Sequence, residues 1–153
     1  MASLANLTVR SAELPQDLPQ IHKIRYLVFQ IEQGVDPTLE FDGRDEESEH
    51  LLASLNQKAV ATVRLRLLNP TTLKVERFAV LKEFRGQGIG DRLMQCVLEW
   101  AAQRQITCIQ MNAQQAVQGF YEKFGFEPDG NVFEEAGIPH IRMRKLLHSL
   151  DGT

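Results

Sequence analysis

Apolar residues follow two different periods along the chain, and the alternation of these periods predicts strands and helices in turn. Short segments rich in β-branched or alternating apolar residues predict strands. Segments in which apolar residues recur every three to four positions predict amphipathic helices. The predicted strands are residues 7–11, 50–55, 59–68, 73–80, 106–112, 126–132 and 141–146, and the predicted helices are residues 18–33, 91–103 and 114–124.

The connections between these segments indicate the topology of the sheet. Strands 50–55, 59–68 and 73–80 follow one another through short turns and should form an antiparallel meander. Strand 106–112 follows strand 73–80 through a helix, which implies a parallel pair and a right-handed crossover. We therefore expect an α/β fold in which helices flank a mixed central sheet.

Local residue choices refine two of these elements. In strand 59–68, Thr62, Arg64 and Arg66 alternate with apolar residues, which predicts a sheet with one face in water. The helix at 18–33 is preceded by Asp17, a candidate N-cap. Gly34 follows that helix and is typical of a helix end.

Length and composition indicate one globular domain over residues 1–153, with 43% apolar and 24% charged residues. A net charge of −3 without a Lys/Arg cluster argues against a nucleic-acid partner. We find no signal-peptide pattern at the start and no apolar run of membrane-spanning length, so we expect a cytoplasmic protein without a membrane partner.

The cysteines and histidines of the chain indicate a reduced protein without a metal site. Cys96 and Cys108 are the only cysteines, and we expect both to be small buried hydrophobes of a reduced protein. A catalytic thiol is the alternative interpretation of either residue. The four histidines are scattered without metal-ligand spacing, so we expect no metal.

The segment 40–49 is strongly acidic, with six carboxylates against the single cation Arg44. A solvated loop is one interpretation of such a run. The other is an electrostatic guide for a cationic amine substrate.

A glycine-rich loop joins strand 73–80 to the helix at 91–103. Glycines let a backbone approach a bulky anion, and the first N–H groups of a helix carry partial positive charge, so this layout is typical of a phosphate-binding loop. A plain strand-to-helix turn is the alternative. The residues of the loop are Arg85, Gly86, Gln87, Gly88, Ile89 and Gly90.

The spacing of the loop excludes two common phosphate-binding motifs. A P-loop would need Gly-Lys-Ser/Thr, but Gly90 is followed by Asp91 and Arg92. A dinucleotide fingerprint would need a third glycine where this chain has Asp91 or Leu93. The pattern that remains is Arg-x-x-Gly-x-Gly.

That pattern, after a strand ending in Ala79-Val80, resembles the acetyl-CoA signature of the GNAT N-acetyltransferases. The order of the predicted elements also resembles that family over nearly the whole chain. Residues 118–126, with Phe-Tyr followed by Gly-Phe, look like its second hallmark. Three further stretches resemble the ElaA-like branch, although Ile31 stands where that branch commonly has a smaller or polar residue; they are residues 25–33, 111–114 and 135–140.

The resemblance implies a GNAT acyl-CoA N-acyltransferase fold, in which the parallel pair splays apart around the pantetheine arm of acetyl-CoA. Backbone groups of Phe78, Ala79 and Val80 would bind that arm, and the amide of Val80 would stabilise the oxyanion. The loop Arg85 to Gly90 would hold the pyrophosphate. Asn112 would bind the pantetheine from the other strand, or cap the following helix, or do both.

The resemblance also implies catalytic roles. Tyr121 would protonate the departing thiolate as general acid, the alternative being a core aromatic. Glu76 shares strand parity with Phe78 and is one candidate base, unless it is only a surface ion-pair partner. Glu32, His140 and bulk water are the other candidates for this step.

The implied activity is acetyl transfer from acetyl-CoA to a primary amine by direct attack. A non-catalytic acyl-CoA-binding sensor or subunit is the alternative. The acceptor would be a small-molecule or peptide amine, and the acidic segment hints at a polyamine, an aminoglycoside-like amine or a Lys side chain. The sequence leaves the exact amine open, and the oligomeric state too, a homodimer included.

Overall fold

A computed structural model describes residues 4–147, so the first three and the last six residues of the predicted domain lie outside the described part. The helices and strands alternate in the order that the hydrophobic pattern predicts. In chain order they are β1 (Leu7–Ser11), α1 (Leu18–Arg25), a π-helical segment (Tyr26–Glu32), α2 (Pro37–Glu40), β2 (Glu49–Leu55), β3 (Lys58–Asn69), β4 (Thr72–Val80), a 3₁₀ turn (Lys82–Phe84), α3 (Ile89–Ala102), β5 (Cys108–Gln114), a 3₁₀ turn (Gln115–Val117), α4 (Gln118–Glu122), β6 (Glu127–Pro128), β7 (Phe133–Glu135) and β8 (Ile138–Leu146).

The strands form one mixed sheet in the order β1-β2-β3-β4-β5-β8-β6, with β7 added to β8. The pairs from β1 to β4 are antiparallel, which confirms the predicted meander. β4 and β5 are parallel, but they pair only where Thr72–Lys74 lies beside Cys108–Gln110. Beyond that point the two strands separate, so the predicted splayed pair is present.

Helices cover both faces of the sheet. Leu93 and Val97 of α3 are fully buried against one face, which also holds Leu73 and Ile109. Ile21 of α1 belongs to a second apolar cluster on the other face. Burying apolar surface on two faces is what stabilises a sheet between helical layers.

The prediction that one face of strand 59–68 lies in water is wrong. Thr62 and Arg64 are only 1% and 0% exposed. Alternation of polar and apolar residues predicts a solvated face because polar side chains are costly to bury alone. Here α1 packs over β3, and Arg64 has carboxylate partners from the acidic segment.

Two helix predictions also need correction. The side chain of Asp17 does not cap α1; it accepts two hydrogen bonds from Arg10 and one from the backbone N–H of Glu13. The predicted helix at 114–124 is shorter, because β5 continues to Gln114. Asn112 therefore lies within a strand and is not a helix cap.

The C-terminal hairpin was also misplaced by the sequence pattern. Only Glu127–Pro128 of the predicted strand 126–132 pairs with β8. Phe133–Glu135 pairs with β8 through a tight turn at Ala136 and Gly137, both of which have positive φ. Positive φ at both central residues is the geometry of a hairpin turn, which this sequence signals only through its glycine.

The two cysteines are less buried than the sequence predicts. Cys96 and Cys108 are free thiols, as predicted, but both are only partly buried where the sequence context predicts full burial. Burial raises the pKa of the Cys96 thiol, which makes it a poor nucleophile at neutral pH. Between residues 4 and 147 we find no helix that could cross a membrane and no cluster of three metal-ligating side chains.

Candidate active site

A cavity of about 990 Å³ opens where β4 and β5 separate. Its walls come from β4, the glycine loop, α4, the β7–β8 hairpin and the segment that follows α1. Of the residues predicted to form the site, Gln87, Ile89 and Glu32 do not line it. Those that do are Glu76, Phe78, Ala79, Val80, Arg85, Gly86, Gly88, Gly90, Asn112, Tyr121 and His140.

A β-bulge at Arg77 shapes β4 beside this cavity. Thr62 pairs with Ala79, but Arg64 pairs with Glu76, so β4 has one more residue than β3 between these pairs. Arg77 takes a left-handed φ of 56°, as residues at such irregularities do. Bulges increase local twist and re-aim the side chains that follow.

The bulge moves Glu76 to the face opposite Phe78. We call the apolar cluster under α3, which includes Leu73, Leu93 and Val97, the α3 cluster. Phe78 and Val80 pack against it, as Val75 does, whereas Ala79 packs with α1 on the other face. Glu76 bonds to Arg64. Val63, the residue before Arg64, belongs to the α3 cluster, so Arg64 and its partner Glu76 lie on the other face of the sheet. The strand-parity argument for Glu76 as base is therefore wrong, because it assumed an unbroken period of two.

The backbone of Val80 faces the gap between the strands. The next N–H, that of Leu81, donates to the carbonyl of Val60 on β3 at 2.9 Å. Successive N–H groups of a strand point to opposite edges, so the N–H of Val80 points toward β5. The carbonyl of Val80 lies on the same edge and accepts a hydrogen bond from Arg85 Nε at 2.9 Å.

The glycine loop gives α3 a bare N-terminus. Gly86 and Gly88 have φ of 77° and 87°, and Gly88 is the N-cap without any side-chain capping bond. A Cβ on Gly90 would meet the ring of Phe120 at 3.5 Å. Gly88, Gly90 and Asp91 line the cavity at the start of α3, and N–H groups at an uncapped helix start can donate to an anion. Ile89 is buried in the core, and the Gln87 side chain bonds back to Glu83.

Arg85 is held by an acidic partner that the sequence pattern did not predict. Its two terminal nitrogens donate to the two carboxylate oxygens of Glu32 at 2.6 and 2.7 Å. This bidentate bond lowers the pKa of Glu32, which stays ionised and weakly basic. Arg85 thus joins the glycine loop to the π-helical segment.

Tyr121 forms part of an aromatic wall of the cavity. Its ring contacts those of Phe78, Phe120 and Phe126, with centroids 5.1 to 6.2 Å apart. Burial raises the pKa of its phenol above the ordinary value, so the hydroxyl stays protonated at neutral pH. No residue between 4 and 147 takes a hydrogen bond from this hydroxyl.

His140 also lines the cavity, together with Glu135 and Asn112. Its Nδ1 is 2.7 Å from the carbonyl of Ile138, which can only accept, so Nδ1 carries the proton. In the neutral ring Nε2 then has its lone pair available, 3.6 Å from Glu135. Asn112 donates to the other oxygen of Glu135 at 3.2 Å. Glu135 begins the stretch 135–140 that resembles the ElaA-like branch, but the sequence pattern assigns it no role in the site.

Most of the chain matches a known protein family. A model of the acetyltransferase (GNAT) domain matches residues 29–147. The chain belongs to the GNAT acetyltransferase family. Members of this family are acetyl-CoA-dependent acyltransferases, which confirms the enzyme class and the fold expected from the sequence.

Individual GNAT relatives confirm the branch. ElaA of Escherichia coli (strain K12) is 34% identical over 137 residues, covering 80% of this chain and 83% of ElaA. The crystal structure of ElaA superposes with a TM-score of 0.81, covering 91% of this chain and 99% of that one at 28% identity. The uncharacterized N-acetyltransferase YjcF of Bacillus subtilis is 33% identical over 135 residues, covering 88% and 96%.

One more solved GNAT structure shares the fold. A GNAT family acetyltransferase of Elizabethkingia anophelis, crystallised with acetyl-CoA bound, has a TM-score of 0.73 at 20% identity and covers 94% of this chain and 99% of its own. In this GNAT chain β5 does not pair with Val80, and a Cβ on Gly86 would meet no atom within 4 Å.

A buried ionic cluster supports the wall of the GNAT cavity formed by residues 36–45. Arg25 is 0% exposed and binds both oxygens of Glu40 at 2.9 and 3.0 Å and Asp45 at 2.7 Å. Arg64, also 0% exposed, binds Asp42 and Asp45. Burial would raise the pKa of Asp45, but these guanidinium groups outweigh it and lower the pKa to about 2.

The solvated-loop interpretation of residues 40–49 is therefore wrong for Glu40, Asp42 and Asp45. These carboxylates are held by arginines 15 to 22 positions away in the sequence. No local pattern marks Arg25, and the alternation of polar and apolar residues predicts a solvent-facing side chain for Arg64. The charge run alone carried no information about such distant partners.

Glu76 is surrounded by cations in the same cluster. Arg66 Nε donates to it at 2.8 Å, Arg64 at 3.1 Å, and Lys74 lies at 3.6 Å. Burial would raise the pKa of Glu76, but these charges outweigh burial and lower it. A carboxylate in this setting is a weak base.

Proposed function

We propose that this enzyme is an N-acetyltransferase that moves the acetyl group of acetyl-CoA to a primary amine by direct attack. The observation that carries the proposal is the parting of β4 from β5, which leaves the N–H of Val80 facing a cavity that Tyr121 and His140 also line. Acetyl-CoA supplies a thioester, whose carbonyl carbon accepts the amine and whose sulfur leaves as a thiolate.

The glycine loop binds the diphosphate in this proposal. The N–H groups at the start of α3 donate to it, and positive φ at Gly86 and Gly88 keeps side chains out of the way. Arg85 contributes charge while it remains fixed by Glu32. Phe78 and Val80 bind the pantetheine arm as a neighbouring strand would, and Asn112 lies across the gap.

Val80 stabilises the charge that develops on the thioester oxygen. Its N–H already points into the gap, so no reorganisation is needed when the charge forms. Donors of this kind contribute roughly 10²–10³-fold to rate.

His140 accepts the proton of the attacking amine. The bond from Nδ1–H to the Ile138 carbonyl leaves Nε2 as the basic nitrogen, and Glu135 stabilises the imidazolium that forms. Glu76 and Glu32 are less suited to this step, since strong ion pairs lower the pKa of each. Catalytic roles for both stay predictions.

Tyr121 donates a proton to the thiolate. Burial keeps its phenol protonated, and its hydroxyl has no acceptor among residues 4–147 that would compete for the proton. The ring contacts with Phe78 and Phe126 hold the side chain in place.

The test is Tyr121→Phe, followed by free thiol release from acetyl-CoA with a panel of primary amines. We expect kcat to fall by about 10²-fold or more while the Kd for acetyl-CoA stays within about twofold. Tyr26→Phe, at a 46% exposed position, is the control and should leave both unchanged. Unchanged kcat in Tyr121→Phe would refute the acid role.

The same assay decides between an enzyme and a sensor. Binding of acetyl-CoA in calorimetry without thiol release for any amine would support the non-catalytic alternative. Replacing His140 with Gln should lower kcat/KM by about 10²–10⁴-fold if it is the base. An unaltered kcat/KM in His140→Gln would leave Glu76, Glu32 or water for this step.

A further inference from the structure

Basic side chains form a row across the sheet beside the cavity. Arg66 of β3 pairs with Lys74 of β4, Lys74 with Gln110 of β5, and Gln110 with Arg144 of β8. We call Arg66, Lys74, Gln110 and Arg144 the basic row. We propose that the acceptor amine carries an anionic group, a carboxylate or a phosphate, which binds the basic row; this inference rests on the proposed N-acetyltransferase function.

The basic row lies on the face of the sheet away from α3. Leu73, Ile109 and Met143, which alternate with Lys74, Gln110 and Arg144 along their strands, are fully buried in the α3 cluster. Successive side chains of a strand point to opposite faces, so the row points to the other side. Arg66 and Lys74 also line the cavity, and the row leads from there to the exposed Arg144.

The cations of this region outnumber the carboxylates that could neutralise them. Each acid is already bonded to arginine: Glu40 to Arg25, Asp42 to Arg64, Asp45 to both, and Glu76 to Arg64 and Arg66. An outer acid, Glu47, is exposed and reaches Arg44 only at 3.6 Å. With this outer pair set aside, five cations (Arg25, Arg64, Arg66, Lys74, Arg77) face four inner carboxylates (Glu40, Asp42, Asp45, Glu76).

Several cationic groups retain unused donors toward this space. Lys74 is 3.6 Å from Glu76, beyond ordinary hydrogen-bond length. Arg144, at the outer end of the row, forms no hydrogen bond or ion pair with any residue between 4 and 147, although Glu127 of β6 lies opposite it in the sheet. Arg77 lines the cavity, and its buried Nε has no hydrogen-bond partner within the same residues. An anion would satisfy donors that the protein itself leaves open.

The excess of positive charge reverses the substrate preference suggested by the acidic segment. A cationic polyamine would meet carboxylates that are already neutralised, together with surplus like charge from Lys74 and Arg66. An amine that carries an anion at its far end would place opposite charge there. The basic row therefore selects the group remote from the reacting nitrogen.

The length of the strand limits the spacing between the two ends of the acceptor. Lys74 lies six residues before Val80, whose N–H faces the thioester oxygen in the proposed reaction, so it is at most about 20 Å from Val80 along β4. The side chains of Lys74 and Arg66 shorten this span. An acceptor must therefore be extended to reach both ends.

The experiment compares matched linear amines of equal length that end in carboxylate, phosphonate, hydroxyl or ammonium. We expect kcat/KM for the anionic amines to exceed that for the amino alcohols by at least about tenfold, because a hydrogen bond to a charged group is stronger than one to a neutral hydroxyl. The carboxylate and phosphonate arms show which anion is preferred. Diamines acetylated as well as the anionic amines would overturn the proposal.

Charge-removing variants localise the effect. In Lys74→Gln/Arg144→Gln the preference for anionic amines should fall toward unity through a higher KM, with little change in kcat for amino alcohols. Lys23→Gln, an exposed position on α1, removes a charge elsewhere and should keep the preference. Retention of the full preference in the double variant would refute the role of the basic row.

The two proposals fail in different ways. Loss of acetyl transfer to every amine would refute the N-acetyltransferase itself. Acetyl transfer that ignores the far-end charge would refute only the basic row. The Kd for acetyl-CoA and the thermal midpoint, measured for each variant, show that a changed KM does not come from lost folding or cosubstrate binding.

Discussion

Replacing Arg25 with Met should strongly destabilise the packing of residues 36–45, which wall the cavity, against α1. Arg25 is 0% exposed and has bonds to both oxygens of Glu40 and to Asp45. Met fills much of the same volume but donates no hydrogen bonds. Glu40, whose side chain is 1% exposed, would then be buried without its arginine partner, which is costly for a carboxylate and for a protonated carboxyl group alike.

Removing one partner of a buried ion pair costs about 3–5 kcal/mol, because the other charge is left uncompensated. Domains of this size have total stabilities of roughly 5–15 kcal/mol, so the variant should stay folded but lose much of its margin. The thermal midpoint should fall by about 6–20 °C. The double variant Arg25→Met/Glu40→Leu removes both charges and should regain most of the loss.

Urea unfolding followed by circular dichroism measures these differences, with the midpoint compared at constant slope. Arg142→Met is the control, because Arg142 and Asp129 form an exposed pair at 3.6 Å whose loss should cost less than about 1 kcal/mol. Arg25→Met with a loss as small as that of the control would refute the claim that this cluster fixes residues 36–45. So would a double variant less stable than the single one.

Three further predictions concern the glycine loop and the loss of stability at low pH. Gly88→Val should raise the Kd for acetyl-CoA about 5–30-fold in calorimetry, since φ of 87° costs a branched residue about 1–2 kcal/mol; Gly43→Val, at φ of 78° in an open loop, should leave that Kd unchanged. Arg85→Gln should weaken acetyl-CoA binding more than Arg85→Gln/Glu32→Gln, because the single change leaves a carboxylate near the diphosphate; equal Kd values would contradict this. The folded pKa of Asp45 is about 2 against an ordinary 3.8, so the stabilisation that its carboxylate provides is present above about pH 4 and is lost as pH falls toward 2. The urea midpoints of Asp45→Asn should therefore vary less with pH over this window than those of the parent protein. Parallel curves of midpoint against pH for the two proteins would refute the reasoning.

The sequence alone determined the order of the elements and the place of the cosubstrate loop. Hydrophobic periods depend on neighbouring residues, so β2, β3, β4 and α3 could be located without tertiary information. The glycine loop is also local, because positive φ at Gly86 and Gly88 and the bare start of α3 follow from residue type. These local signals were sufficient to indicate the family.

Only the tertiary structure decided how the charged residues are used. Arg25 meets Glu40 across 15 positions, and Arg85 meets Glu32 across 53, so neither pairing leaves a pattern in the neighbouring sequence. The bulge at Arg77 likewise depends on the register between β3 and β4, and it reverses the face on which Glu76 lies. Burial and partnership are properties of the packed chain, which is why charged side chains that the sequence pattern assigned to solvent lie inside this protein.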